Sequence, residues 1–289
     1  MIFAEEWPLM TFTLLSQLAI GMFIVLMLVK AGVGNQDSQV SKAIRSGFTA
    51  VGPLTALALV FSLFHLGDPL GAPRSILNLG SSWLSREIMT AGGFFALWLV
   101  FWWLSRKGKE SNALGWVTVL MGLAAVFSMA SIYSSSIRPA WDNVNTYIAF
   151  YGATLAMGVL GAAAATAFGL KGQTSAGLIK TLRNMAYLGA ASVLLPLAYL
   201  PVFTSGLNGG GTAAEASAQI LTDSMGVLAG RGVLSIAGVI LLVAALNKGA
   251  KGKTLSTGTV YLALVLVIAG EFIGRYLFYA MGVTPMIGT

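Results

Sequence analysis

Charged residues fall along this chain of 289 residues in short bursts, and between the bursts lie runs of about twenty residues that are almost wholly apolar. A run of that length crosses the roughly 30 Å hydrocarbon layer of a bilayer as an α-helix. Eight such runs are present, at about 9–29, 46–66, 87–104, 113–134, 147–169, 183–203, 226–247 and 257–280. Barrel strands alternate apolar and polar positions over about ten residues, and these continuous runs do not. The pattern predicts an all-α integral membrane protein, a bundle of eight transmembrane helices that forms a single polytopic membrane domain over residues 1–289. The two longest gaps, 67–86 and 204–225, are too short to bury a core of their own. The first, with Pro69, Pro73 and Trp83, is expected to lie along the membrane interface as a cap. The second is expected to be flexible around Gly209, Gly210 and Gly211. No internal repeat is visible.

Composition removes the soluble classes. Apolar residues make up 56% of the chain and charged residues 9%, against about 45–50% and 25% in soluble domains, and the mean hydropathy is +0.81. Glu5 and Glu6 precede the first run without a basic residue. A cleaved secretory leader has a positive start, so the first run is expected to stay as a span. The chain has no cysteine and one histidine, His65. Thiolate metal sites, Fe–S clusters and a haem held by two histidines are therefore excluded from this chain. Any metal chemistry must belong to a partner.

Twelve of the seventeen Lys and Arg residues lie in the loops after the first, third, fifth and seventh spans. By the positive-inside rule those loops are cytoplasmic, so both termini are expected to face the other side. The net charge of +7 follows from this asymmetry and calls for no nucleic acid.

Six ionisable residues sit within or at the edge of the spans: His65, Arg86, Glu87, Arg231, Glu271 and Arg275. With the orientation above, all six fall in the outer half of the membrane. Arg86 can snorkel to the headgroups, and Glu271 with Arg275 forms an i, i+4 pair able to neutralise itself. Glu87 opens the third span, where the helix dipole favours a carboxylate. Trp7, Trp83 and Trp141 sit where an aromatic belt would. Gly270 and Gly274 have the GxxxG spacing that lets helices approach closely.

His65 ends the second span in the stretch FSLFHLGDP, just before Gly67 and Pro69. An imidazole and a carboxylate beside the lipid phase suit oxidation of a membrane quinol, whose hydroxyls lose protons as electrons leave. On this reading His65 accepts a hydroxyl proton and Glu87 passes protons outward, while Arg231 polarises the developing anion or fixes Glu87. A proton-coupled secondary transporter and a purely passive anchor are the competing readings. Transporters place their sites near the midplane on paired broken helices, and Pro53, Pro196 and Pro201 do not mark two matching halves.

Four short motifs, EWPLM (residues 6–10), FHLGDP (64–69), SREIM (85–89) and GEFIGRYLFY (270–279), occur in this order from the first span to the last. Together they resemble the membrane anchor subunit of anaerobic dimethyl sulfoxide reductase. The resemblance implies an eight-helix anchor of the bacterial inner membrane with both termini periplasmic. It implies that the chain binds menaquinol, with His65 and Glu87 at the quinol site, and has no catalytic or metal-ligating residues of its own. It further implies partners on the periplasmic face: an Fe–S electron-transfer subunit and a molybdopterin catalytic subunit. Arg231, Glu271 and Arg275 match charged positions of that family without an assigned role. Related anchors serve polysulfide, thiosulfate, tetrathionate or selenate reductases, so the terminal acceptor is not fixed by this chain.

Overall fold

In hydrocarbon a backbone N–H or C=O finds no water, so each apolar run must satisfy its own peptide groups, and a helix does so within the segment. The computed structural model describes residues 2–33, 38–64, 78–170, 175–252 and 254–285, with side chains from Glu6 onward. Nine helices occur among the described residues: α1 (Ile2–Val33), α2 (Ser38–Leu63), α3 (Trp83–Arg106), α4 (Asn112–Ser134), α5 (Val144–Leu170), α6 (Ala176–Leu207), α7 (Thr212–Asp223), α8 (Met225–Ala250) and α9 (Thr257–Ala280). All except α7 are long and apolar enough to span a membrane. No strand occurs among the described residues. Serine side chains cap the starts of α3, α4 and α9, with Ser82, Ser111 and Ser256 accepting from the backbone N–H three residues on. Buried hydroxyls inside the spans, such as those of Thr55, Thr154 and Thr166, donate to the carbonyl one turn back. These three therefore bring no unpaired donor into the apolar interior.

Eight alternating spans put both termini at one end of the bundle, here the terminal end. Trp7 packs edge-on to Phe61 there, and the ends of α4, α6 and α9 meet the same level. The basic loops lie at the opposite end. α1 and α5 form the centre, with the core windows of both mostly buried by the other helices. They cross where Gly21 meets Gly158. A Cβ on either glycine would enter the backbone of the facing helix, so only glycine permits this approach.

Neighbour relations repeat between the two halves of the chain. α1 packs on α2 and α3 on α4, as α5 packs on α6 and α8 on α9. α1 touches α6 just as α5 touches α2, and α1 touches α9 just as α5 touches α4. The arrangement matches a rotation about the membrane normal, since α1 and α5 start from the same end. Because apolar residues interchange freely at lipid-facing and core positions, such a repeat leaves little trace in sequence.

The segment between α6 and α8 departs from the expected flexible loop. Gly209 and Gly211 take the left-handed φ values of +92° and +91°, and immediately after them the chain enters α7. Its apolar side, Ala214, Ala218 and Leu221, packs with Phe203, Leu207, Leu228, Leu277 and Met281 in a second, smaller core. Ser217 Oγ donates to Met281 O at 2.8 Å. The glycines make a sharp entry into a seated helix.

Candidate functional site

α3 buries one stripe of positions, Glu87, Ala91, Phe94, Trp98, Phe101 and Ser105, spaced three and four residues apart. The stripe begins with a carboxylate. Glu87 is only 5% exposed, although it stands in the first turns of a span. Its neighbour Arg86 points elsewhere: Nε donates to Leu79 O and a terminal nitrogen to Gly80 O, both at 2.8 Å. The Arg86 guanidinium also lies over the Trp83 ring at 4.1 Å. Arg86 thus folds the preceding turn onto the start of α3 and fixes where Glu87 enters the bundle.

His65 lies outside the described residues, together with Gly67, Asp68 and Pro69 and the rest of the expected interfacial cap up to residue 77. The chain leaves α2 at Phe64 and resumes at Asn78, both at the terminal end.

The three other expected charges converge, in pairings that differ from the i, i+4 expectation. Glu271 bonds Arg231 of α8 at 3.5 Å. Arg275 turns away and donates to Gln17 Oε1 of α1 at 2.8 Å, with its guanidinium 3.8 Å from the centroid of the Phe150 ring of α5. Three helices, α1, α5 and α9, therefore meet at Arg275, which is 4% exposed. Arg275 Nε and one terminal nitrogen, and Gln17 Nε2, are buried without a hydrogen-bond partner among the described residues. Arg231, Glu271 and Arg275 line a cavity of about 40 Å³, enough for ordered water. Leu221 of α7 and Met281 also line it. The GxxxG glycines have a defined part: a Cβ on Gly270 would strike Ser235, and one on Gly274 would strike the Arg231 guanidinium. Gly274 makes the room in which Arg231 reaches Glu271.

Two tyrosines pair at the same end of the bundle. Tyr133 and Tyr279 are the next-to-last residues of α4 and α9, equivalent places in the two halves, and their hydroxyls are hydrogen-bonded. Glu87 lies within electrostatic reach of both, and Glu6 within reach of Tyr279. Trp141 packs edge-on to both tyrosines and stacks on Phe278, and its indole N–H donates to Phe278 O at 2.7 Å. Trp141 is therefore buried core, where the sequence suggested an interfacial anchor. Trp7 is 39% exposed, as a belt residue would be.

A different charge cluster marks the opposite end. Glu110, in the turn between α3 and α4, accepts from Lys30 of α1 at 2.6 Å, from Ser105 at 2.8 Å and from Arg45 of α2 at 3.4 Å. Partial burial pulls the Glu110 carboxyl up, but the bonds from Lys30 and Ser105 and the charges of Lys30 and Arg45 outweigh it and hold it below the ordinary value. No group of three or more His, Cys, Asp or Glu side chains able to hold a metal occurs among the described residues.

Gln17, Tyr133 and Tyr279 were not singled out in the sequence. Gln17 had a visible signal, being an amide in the middle of the first apolar run. The tyrosines had none, because a phenol at a span end reads as an interfacial anchor. At the terminal end the structure thus gathers a buried carboxylate, a buried phenol pair and a three-charge centre facing a small cavity. Such an arrangement can hold and exchange protons beside the lipid phase.

The family model for the DMSO reductase anchor subunit (DmsC) matches residues 3–281. Among curated proteins, the sequence is 30% identical to the YnfH subunit of an anaerobic dimethyl sulfoxide reductase of Escherichia coli K12, with 97% of this protein and 96% of that relative covered. It is 28% identical to the C subunit of anaerobic dimethyl sulfoxide reductase from the same organism, with the same coverage. The corresponding C subunit from Haemophilus influenzae is 33% identical over half of this protein and 53% of its own length.

Proposed function

The chain belongs to the DMSO reductase anchor subunit family, and from that premise we propose that it oxidises a membrane quinol, menaquinol, and delivers the electrons to an Fe–S partner. As a member it is a multi-pass protein of the bacterial inner membrane and the anchor of a molybdoenzyme complex with catalytic and electron-transfer subunits. The quinol chemistry, the sidedness and the residue roles are the proposal. The basic loops set the sidedness: they are cytoplasmic, so the terminal end is periplasmic and the partner subunits dock there. The nine helices act as one membrane domain.

One observation carries the reading. Glu87, a carboxylate, is buried at the same terminal end of the bundle as the Tyr133–Tyr279 hydroxyl pair, close in sequence to the segment that holds the single histidine. A quinol that gives up two electrons must shed two protons, and each needs an acceptor within hydrogen-bond reach. His65 accepts one proton from a quinol hydroxyl through its neutral imidazole nitrogen. Glu87 takes the other as carboxylate, and both protons leave at the terminal end. The two electrons pass to the Fe–S subunit and from it to the molybdopterin subunit, where dimethyl sulfoxide is the acceptor suggested by the relatives' names. Arg86 positions the start of α3, and Arg231, Glu271 and Arg275 supply fixed charge beneath the tyrosines.

The test is quinol-driven reduction of the partner's clusters in membranes carrying His65→Ala or Glu87→Gln. The complex is expected to assemble in both, with the reduction rate down about a hundredfold or more, as for loss of a general base. Unaltered quinol turnover in both variants would overturn the assignment.

A further inference from the structure

α2 and α9 stand apart at the basic end, and between them α1 and α5 form the floor of an apolar groove of about 750 Å³, within the range of small-molecule sites. Leu18 and Met22 of α1 line it together with Ala164 and Ala165 of α5. Small side chains on α5 make the hollow. One wall is the α2 face that carries Ser46, Ala50 and Pro53, and the facing wall includes Tyr261 of α9. Lys42 belongs to the same α2 stripe, one turn nearer the helix start than Ser46, and is exposed. At 1.5 Å per residue it stands about 6 Å beyond the groove's polar mouth. Tyr261 and Ser46 bring hydroxyls to that level.

We propose that this groove holds an acyl chain of an anionic glycerophospholipid from the leaflet at the basic end, with the phosphate of its headgroup on Lys42. Charge chooses the occupant. An acyl chain gains no hydrophobic free energy on moving from bilayer to groove, because lipid tails are as apolar as its lining. Residence therefore depends on fit into the hollow and on the headgroup contact. The contact available is the exposed cation of Lys42 beyond a mouth lined by Ser46 and Tyr261, at the end that carries most of the basic residues. An anionic phosphate headgroup satisfies it, and a zwitterionic one adds a cation that Lys42 repels. The groove opens in the half of the bundle away from Glu87, so a lipid there leaves the terminal end free.

The test is native mass spectrometry of the intact complex in mild detergent, titrated with phosphatidylglycerol and with phosphatidylcholine of identical acyl chains. The expected result is preferential retention of phosphatidylglycerol. Lys42→Gln lowers that retention about fivefold, the worth of one basic residue at a charged surface, and leaves phosphatidylcholine unchanged. Ala165→Phe, which fills the hollow, lowers retention of both. Equal retention of the two lipids, unmoved by Lys42→Gln, would mean ordinary boundary lipid and would overturn the proposal. So would a quinone, or a second copy of the protein, that is lost with Ala165→Phe in place of the lipid. Quinol oxidation is read separately, so failure here leaves the proposed function standing.

Discussion

The molecule contains two clusters of the same stoichiometry, each with two cations and one carboxylate. Glu271 and Arg275 are buried, and Arg231 half-buried, between spans towards the terminal end, and Lys30, Arg45 and Glu110 sit at the rim of the opposite end. At the rim, Glu110 is about one-third exposed and accepts from three side chains. In the interior, among the described residues, Glu271 has one long ion-pair contact, and Arg275 keeps two nitrogens without a hydrogen-bond partner. Identical charges therefore differ in consequence. Water shares the cost at the rim, whereas in the interior every missing partner is charged against the fold.

The contrast between the clusters breaks most visibly at Glu271. Removing it by Glu271→Ala leaves Arg231 and Arg275 in the interior without a carboxylate, at a cost of about 3–5 kcal/mol. The expected outcome is severe loss of the protein from the membrane fraction and a lower melting temperature in detergent. Wild-type abundance and melting would mean that the centre is hydrated like the rim. Gly274→Ala comes next: it pushes a methyl into the Arg231 guanidinium, and overpacking of this kind costs about 1–3 kcal/mol. Its signature is that the same change costs little further stability when made in an Arg231→Ala background.

Tyr133→Phe sharpens the contrast at intermediate size, since it orphans the buried Tyr279 hydroxyl for about 1–3 kcal/mol. The double variant Tyr133→Phe with Tyr279→Phe is expected to recover most of that loss in the same melting measurement, because neither ring then carries an unpaired group. An additive double variant would disprove the pairing.

The smallest effect is at the rim. Glu110→Gln is expected to cost no more than about 1 kcal/mol and to matter less in high salt. The folded state lowers the Glu110 carboxyl's affinity for protons, so its contribution is complete above the ordinary carboxylate range and is lost as pH falls through the lowered value. The stability difference between the wild type and Glu110→Gln should close on acidification below about pH 4.

Glu87 shows how far a sequence pattern reaches. Its place at the opening of the third span is legible in the chain, but the stripe that α3 buries beyond it is not, because the span is apolar on its exposed face as well. Arg275 shows where the pattern stops. Four residues from Glu271, it reads as that residue's partner, yet it bonds Gln17, 258 positions away. Nothing local encodes that choice, since it depends on α1 and α9 being neighbours.

The sequence by itself determined the eight spans, the all-helical class, the uneven basic loops and the absence of thiol chemistry. Each follows from a local rule: apolar length against bilayer thickness, backbone satisfaction in hydrocarbon, or the count of a residue type. The tertiary structure alone decided that Tyr133 meets Tyr279, that Glu271 takes Arg231, that Trp141 is core, and that α7 seats itself over a cavity. The repeated neighbour pattern of the two halves belongs to the same class. Side chains that share an apolar environment carry no mark of which helix they will face, so pairings between distant spans exist only once the helices have packed.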